Sequence, residues 1–192
     1  MIKATRNGTK VVTGEVRLSY ARLFEPYSST PDQEARFSTV ILIPKSDKHT
    51  LKAIREAAAE AAKNGAAKSF GGKIPPSVAK DPATTLHDGD EEADLERNPE
   101  YEGCYYMSIG SKIQPGLVDR GKMPILDGTS LYSGCYARVA MGAFAYNNNG
   151  NKGVSFGLNH VQKLRDGEPL GGITRAEDEF DELDDEDGEN LI

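Results

Sequence analysis

The chain has no tryptophan, two cysteines and three histidines, and no apolar run approaches the ~18 residues that a membrane-spanning helix requires. Each shortage excludes a class of protein. Cys104 and Cys135 cannot build a disulfide framework, and His49, His87 and His160 are scattered without metal-ligand spacing. No Ser/His/Asp or Cys/His arrangement can be assembled from those histidines, so no catalytic residue and no metal site is assigned. Phe70-Gly-Gly-Lys73 has the flexibility of a phosphate loop but not the Walker spacing, and no cofactor is implied. The opening residues lack the apolar core of a secretory signal. The expectation is a reduced, cytoplasmic protein with two buried thiols. Apolar residues are scarce too, at 38% with a mean hydropathy of −0.54, which predicts a segment that does not fold.

Charge is unevenly placed. The formal net charge is −7, yet residues 177–192 hold ten carboxylates and no lysine or arginine, leaving 23 basic against 20 acidic side chains elsewhere. A second acidic run, Asp88 to Glu102, carries eight carboxylates and one arginine. Outside both runs the balance is 22 basic to 12 acidic, so a basic body carries a detachable polyanion.

Periodicity predicts five strands and one helix. Val11 to Phe24 reads as a strand, with Gly14 marking a bulge or bend, and the turn-rich stretch Pro26 to Pro31 ends it. Arg36 to Ile43 is apolar on both faces and reads as a buried strand stopped by Pro44. Ser46 or Asp47 caps a helix through about Asn64, with Leu51, Ile54, Ala58 and Ala61 on one stripe and Gly65 as its end. Ala66 to Gly103 reads as a long loop. Cys104 to Ile113 is the third strand, with Tyr105, Met107, Ile109 and Ile113 on one face and Tyr106, Ser108 and Lys112 on the other. Cys135 to Tyr146 and Gly153 to Leu164 form a hairpin about Asn149-Gly150. Such long arms must bend, with Gly142 and Gly157 as the expected sites, or project as a finger. The fold expected is mainly β: a five-stranded, partly open antiparallel barrel of the OB type, with the helix plugging one end and a long hairpin last. The barrel domain spans residues 1–175, with the helix and long loop inserted at about 46–103, and residues 176–192 form a disordered acidic tail.

The Cys135–Tyr146 strand separates cleanly by parity. Cys135, Ala137, Val139, Met141, Ala143 and Ala145 are small and apolar; Tyr136, Arg138, Ala140, Gly142, Phe144 and Tyr146 are aromatic with one guanidinium. Rings and cations on a sheet face suit unpaired nucleic acid, because every base has a π-face and every nucleotide a phosphate. The candidate nucleic-acid-binding set is Arg17, Tyr106, Lys112, Tyr132, Tyr136, Arg138, Phe144, Tyr146, Lys152 and Lys163. The same rings would equally serve as a second apolar layer with solvated charges at its rim. In the tail, Phe180, Leu191 and Ile192 are out of place in a purely solubilising segment and suit docking to a partner, while its carboxylates compete for a cationic groove. The run Asp88-Gly-Asp-Glu-Glu-Ala-Asp-Leu-Glu96 departs from the EF-hand pattern and reads as an exposed acidic loop. Two other readings stand beside nucleic-acid binding: a metal-dependent nuclease using those carboxylates, and an interaction protein whose tail mimics DNA.

Several stretches resemble the bacteriophage single-stranded DNA-binding proteins that have an OB-fold and an acidic C-terminus. They are Phe70-Gly-Gly-Lys-Ile-Pro-Pro76, Asp88-Gly-Asp90, Pro124-Ile-Leu126, Tyr132-Ser-Gly-Cys-Tyr136, Gly150-Asn-Lys-Gly153 and, most specific, the run from Gly157 to Gly172. The resemblance covers most of the chain from about residue 66 onward. It implies binding of single-stranded DNA without strong sequence preference, in phage replication, recombination and repair in the cytoplasm of a bacterial host. Replication or recombination proteins are the partners expected for the tail, with self-association on DNA as a further expectation. The terminal Leu191-Ile192 departs from the aromatic ending of many acidic-tailed single-strand binders.

Overall fold

The computed structural model describes residues 2–171, so the acidic tail, with Phe180, Leu191 and Ile192, lies outside the described residues. Within them the strands are β1 (Thr5–Asn7), β2 (Lys10–Val12), β3 (Val16–Tyr27), β4 (Arg36–Pro44), β5 (His87–Asp88), β6 (Cys104–Ser111), β7 (Gly116–Val118), β8 (Tyr136–Asn148) and β9 (Asn151–Arg165). The helices are α1 (Lys48–Ser69), α2 (Pro76–Lys80) and α3 (Gly89–Glu92), with a 3-10 turn at Pro99–Tyr101. The five long strands pair in the order β3-β4-β6-β9-β8, and β8 returns to β3, closing a ring. This is the expected small barrel, with one amendment: the β6–β9 seam is parallel, so the ring is not wholly antiparallel.

The alternation read in β8 holds. Cys135, Ala137, Val139 and Met141 are fully buried, while Tyr136, Arg138, Ala140 and Gly142 between them are only half-buried. The first strand is divided by Thr13–Glu15. Gly14 has no room for a Cβ, which would sit 2.6 Å from Asp47 Oδ2, and its N–H donates to Thr50 Oγ1 at 2.9 Å. Asp47 in turn caps α1, accepting from the Thr50 N–H at 3.0 Å. One buried polar knot therefore fixes both the strand break and the start of the helix.

One reading of glycine needs correction. Gly65 does not end α1, which continues to Ser69; an added Cβ at Gly65 would fall 2.4 Å from Ala145 Cβ, so the residue lets helix and sheet meet. Together with Ala53, Ala57, Ala58, Ala61 and Ala62, all buried, it brings α1 close against β8 and β9. In the hairpin the register slips where Asn159 and Leu164 are left unpaired, the first of these beside Gly142, while Gly142 and Gly157 themselves face one another in register. The turn itself is as read: Asn149 (φ 51) and Gly150 (φ 90) both take the left-handed conformation that a two-residue connection demands.

The stretch from Ala66 to Gly103 is more ordered than a bare loop. Thr84 pins it to β9 by accepting from the Val154 N–H at 2.9 Å and donating to the Val154 carbonyl at 3.0 Å. Farther on, β5 pairs with β6, Lys45 is clamped by Asp88 and Asp90, and Asp90 also accepts from the Gly103 N–H at 2.8 Å. These bonds hold the Asp90 carboxyl below the usual carboxylate range, the lysine first and the amide second. The acidic run is thus a strap folded onto the barrel. Ile113, expected on the inner face, lies beyond the end of β6 and is 79% exposed. No helix among the described residues is long and apolar enough to cross a membrane.

Candidate nucleic-acid interface

The outer face of the barrel is divided in two. The strap from His87 to Gly103 covers one half: Leu42 and Tyr101 are buried there, and the Tyr106 ring is stacked on His87 (5.2 Å) and edge-on to Tyr101 (4.9 Å). Burial pushes the Tyr106 phenol above its ordinary range. The other half is open. There a groove of about 620 Å³ runs from the end of β3 across β4, β6 and β9 to β8. Its floor is made of short residues that share the outward face: Ser38 on β4, Ser108 and Gly110 on β6, and Ser155 on β9. Its walls are two rings, Tyr27 at 49% and Phe144 at 48% exposure. The Arg22 guanidinium lies 3.7 Å over the Tyr27 ring and steadies it. Arg36 also lines the groove, and Lys112 stands beside it, paired with Glu34 at 2.5 Å, which holds the Glu34 carboxyl below its ordinary range. Rings half in water, a flat polar floor and cations around the edge can hold unpaired bases and their phosphates together.

The ten residues chosen from the sequence are not on one surface. Phe144 lines the open groove, and Lys112 stands beside it, paired with Glu34. Tyr136, Arg17, Tyr132 and Lys163 gather instead at the opposite end of β8. The Tyr136 ring lies between the guanidinia of Arg165 (3.6 Å) and Arg17 (5.6 Å). Arg17 donates to the carbonyls of Gly134 (3.1 Å) and Glu168 (2.8 Å), and Arg165 is held by Glu15 at 2.8 Å. The Tyr132 hydroxyl donates to the Gly167 carbonyl at 2.8 Å, and Lys163 pairs with Asp166 at 2.7 Å. Arg138 donates to the Thr13 carbonyl at 3.0 Å, closing β8 onto the break before β3. Tyr146 packs across the hairpin over Gly153, and Lys152 reaches the Phe70 carbonyl at 3.4 Å. Tyr106 is under the strap.

A family model described as the Enterobacter phage Enc34 single-stranded-DNA-binding protein matches residues 9–191. The chain belongs to that family. It is 32% identical over 191 residues to "Putative protein p50" of Acyrthosiphon pisum secondary endosymbiont phage 1, covering 95% of this chain and 98% of the relative. Among solved structures, the Enc34 single-stranded DNA-binding protein in complex with ssDNA superposes with a TM-score of 0.71 at 24% identity, covering 89% of this chain and 98% of the other. The bacteriophage T7 single-stranded DNA binding protein gp2.5 superposes at 0.56 and 14% identity, covering 85% and 90%. These two structural likenesses establish a shared fold.

In this Enc34-family chain, Tyr27, Arg22 and Arg36 were missed from the sequence. Tyr27 sits between Pro26 and Pro31, a stretch that reads as turn, yet it is the last residue of β3. The only available signal was the tyrosine itself, aromatic where an ordinary turn is polar. The two thiols are unlike the expectation in one respect: Cys135 is fully buried, with its pKa pushed up to about 11 by burial, whereas Cys104 is only half-buried. Within the acidic run, Asp88, Asp90 and Glu92 are engaged by Lys45, His87 and backbone amides, and among the described residues no three His, Cys, Asp or Glu side chains converge on a cation position.

Proposed function

We propose that this protein coats single-stranded DNA through the groove between Tyr27 and Phe144, without sequence preference and without catalysis, in the cytoplasm of a bacterial host during phage replication, recombination and repair. One observation carries the reading: two aromatic rings, each about half exposed, face one groove whose floor is serine and glycine, with Arg36 in its lining and Arg22 over the Tyr27 ring. Family membership supports it independently. Phe144, Tyr27, Arg22 and Arg36 are the contacting residues, and Lys112 joins them where a phosphate displaces Glu34 from it. Arg17, Tyr106, Tyr132, Tyr136, Arg138, Tyr146, Lys152 and Lys163 serve mainly to hold the barrel, its hairpin and its strap, since their polar or ring contacts are intramolecular. The tail of residues 176–192 competes with DNA for the groove at rest and engages replication or recombination proteins when displaced, with neighbouring copies assembling along the strand. The supporting feature is compositional: ten carboxylates interspersed with Phe180, Leu183, Leu191 and Ile192.

Titration of the purified chain with a labelled oligothymidylate and with a duplex of equal length tests the function. Binding of the single strand at least tenfold tighter than the duplex, with neither strand cut in the presence of magnesium, is expected. Equal affinity for the duplex, or cleavage abolished by substituting Asp88 and Asp90, would overturn it.

A further inference from the structure

Gly142 and Gly157 have no evident structural reason to be glycine. Neither has a left-handed φ, and each lies inside a long strand, where glycine loses backbone entropy and contributes no side chain to pack. A Cβ built on Gly142 would meet nothing closer than Asn159 Nδ2 at 3.9 Å. At Gly157 the nearest atoms are the Gly110 carbonyl oxygen and Phe144 Cε1, also at 3.9 Å. This contrasts with Gly14, Gly65 and Gly89, where a methyl would collide with this chain's own atoms.

The two glycines are also aligned. Ser38 pairs with Gly110, Gly110 with Gly157, and Gly157 with Gly142, so four adjacent strands present serine or glycine in one row across the sheet. Paired residues on neighbouring strands point to the same side, and strands lie about 4.8 Å apart, so the bare strip is roughly 14 Å long. The row continues onto a cation at either end. Ser38 pairs with Arg22, and Gly142 pairs with Lys10, both exposed. The Phe144 ring borders the strip at Gly157.

Since nothing inside the protein requires these glycines, we infer that an external ligand does. The strip Gly110–Gly157–Gly142 is the seat on which a short run of unpaired nucleotides lies flat. The strand crosses the β-strands from Arg22 towards Lys10, its bases and sugars touching the bare backbone while Phe144 stacks at the edge. Backbone amides inside a sheet are already paired, so the strip offers close van der Waals contact and no base-specific hydrogen bonds. A surface of that kind accepts any sequence, but only if no side chain stands on it. This inference rests on the proposed single-strand binding and assigns the glycines as its steric determinants.

Gly142→Val tests it, with Gly142→Ala and Gly157→Ala as graded companions, by measuring melting temperature and affinity for an oligothymidylate. The melting temperature is expected to stay level or rise, because a β-branched residue suits a strand and the space beside it is open. Affinity is expected to fall at least tenfold for valine, with alanine intermediate. Unchanged affinity in the folded valine variant overturns the inference while leaving the proposed function intact. A melting temperature lowered by all three variants also overturns it, since the glycines would then serve the fold. Failure of the parent chain to bind the oligonucleotide sinks the proposed function itself, which separates the two.

Discussion

Replacing Tyr27 and Phe144 together by alanine is expected to lower affinity for unpaired DNA by about 30-fold at the least. Each base stacked on an aromatic ring is worth about 1–3 kcal/mol, so two rings supply roughly 2–6 kcal/mol, and the upper end exceeds a 10⁴-fold loss. The effect should appear without loss of folding. Both rings are about half in water, and neither belongs to the core built from Leu18, Ile41, Ile54, Met107 and Val161. Tyr136→Ala provides the contrast. Its ring sits between Arg17 and Arg165, which are themselves tied to Gly134, Glu168 and Glu15, so its removal is expected to lower the melting temperature more than the affinity of the folded molecules. Equilibrium binding by fluorescence anisotropy, paired with thermal melts, distinguishes the two. A double variant that melts normally and binds like the parent would remove stacking from the account.

The second large effect concerns salt. Lys10, Arg22, Arg36 and Lys112 are exposed around the open face, and each phosphate they neutralise releases counterions. For single strands the log–log slope is about −0.7 per phosphate, so four contacts give a slope of roughly −3, and a fourfold rise in salt costs affinity about 50-fold. The tail modifies this in a definite direction. A tethered polyanion competes most strongly when screening is weak. Removing residues 177–192 is therefore expected to tighten binding at low salt and to steepen the slope, the two curves converging as salt rises. A flat response would contradict phosphate tracking, and superimposable curves for the two forms would remove the tail from the groove.

What was legible in the sequence was whatever a strictly local rule controls. The two faces of β8 separate because every second residue from Cys135 is small and apolar, and Asn149-Gly150 names its own turn. The start of α1 is readable because Asp47 is a local cap. The open face was half legible. Parity places Phe144 outward, but it also places Arg17, Tyr106, Tyr136 and Arg138 outward, and it cannot say what lies over them. Arg17 and Arg138 reach backbone carbonyls brought near only by tertiary folding, and the strap that covers Tyr106 comes from a stretch whose periodicity is that of a loop. The register slips in β3, between Ser19 and Arg22 and again before Tyr27, break the period-two rule, and the non-glycine residue Tyr20 takes φ 47. Those irregularities bring Arg22 and Tyr27 to the open face, and counting along the strand could not have placed them there. Gly65, Gly142 and Gly157 illustrate the same limit. A sequence marks each as a break, whereas contact with Ala145 explains the first and an empty, aligned strip distinguishes the other two.

The most direct test is to photo-crosslink a halogenated oligodeoxyuridine to the full-length chain and map the adducts by mass spectrometry. Adducts concentrated on Tyr27 and Phe144, and diminished by unlabelled single strand but not by duplex, are the expected result. Adducts confined to Tyr132, Tyr136 or the residues around Arg165, with none on the open face, would place the DNA at the other end of the barrel and contradict the account.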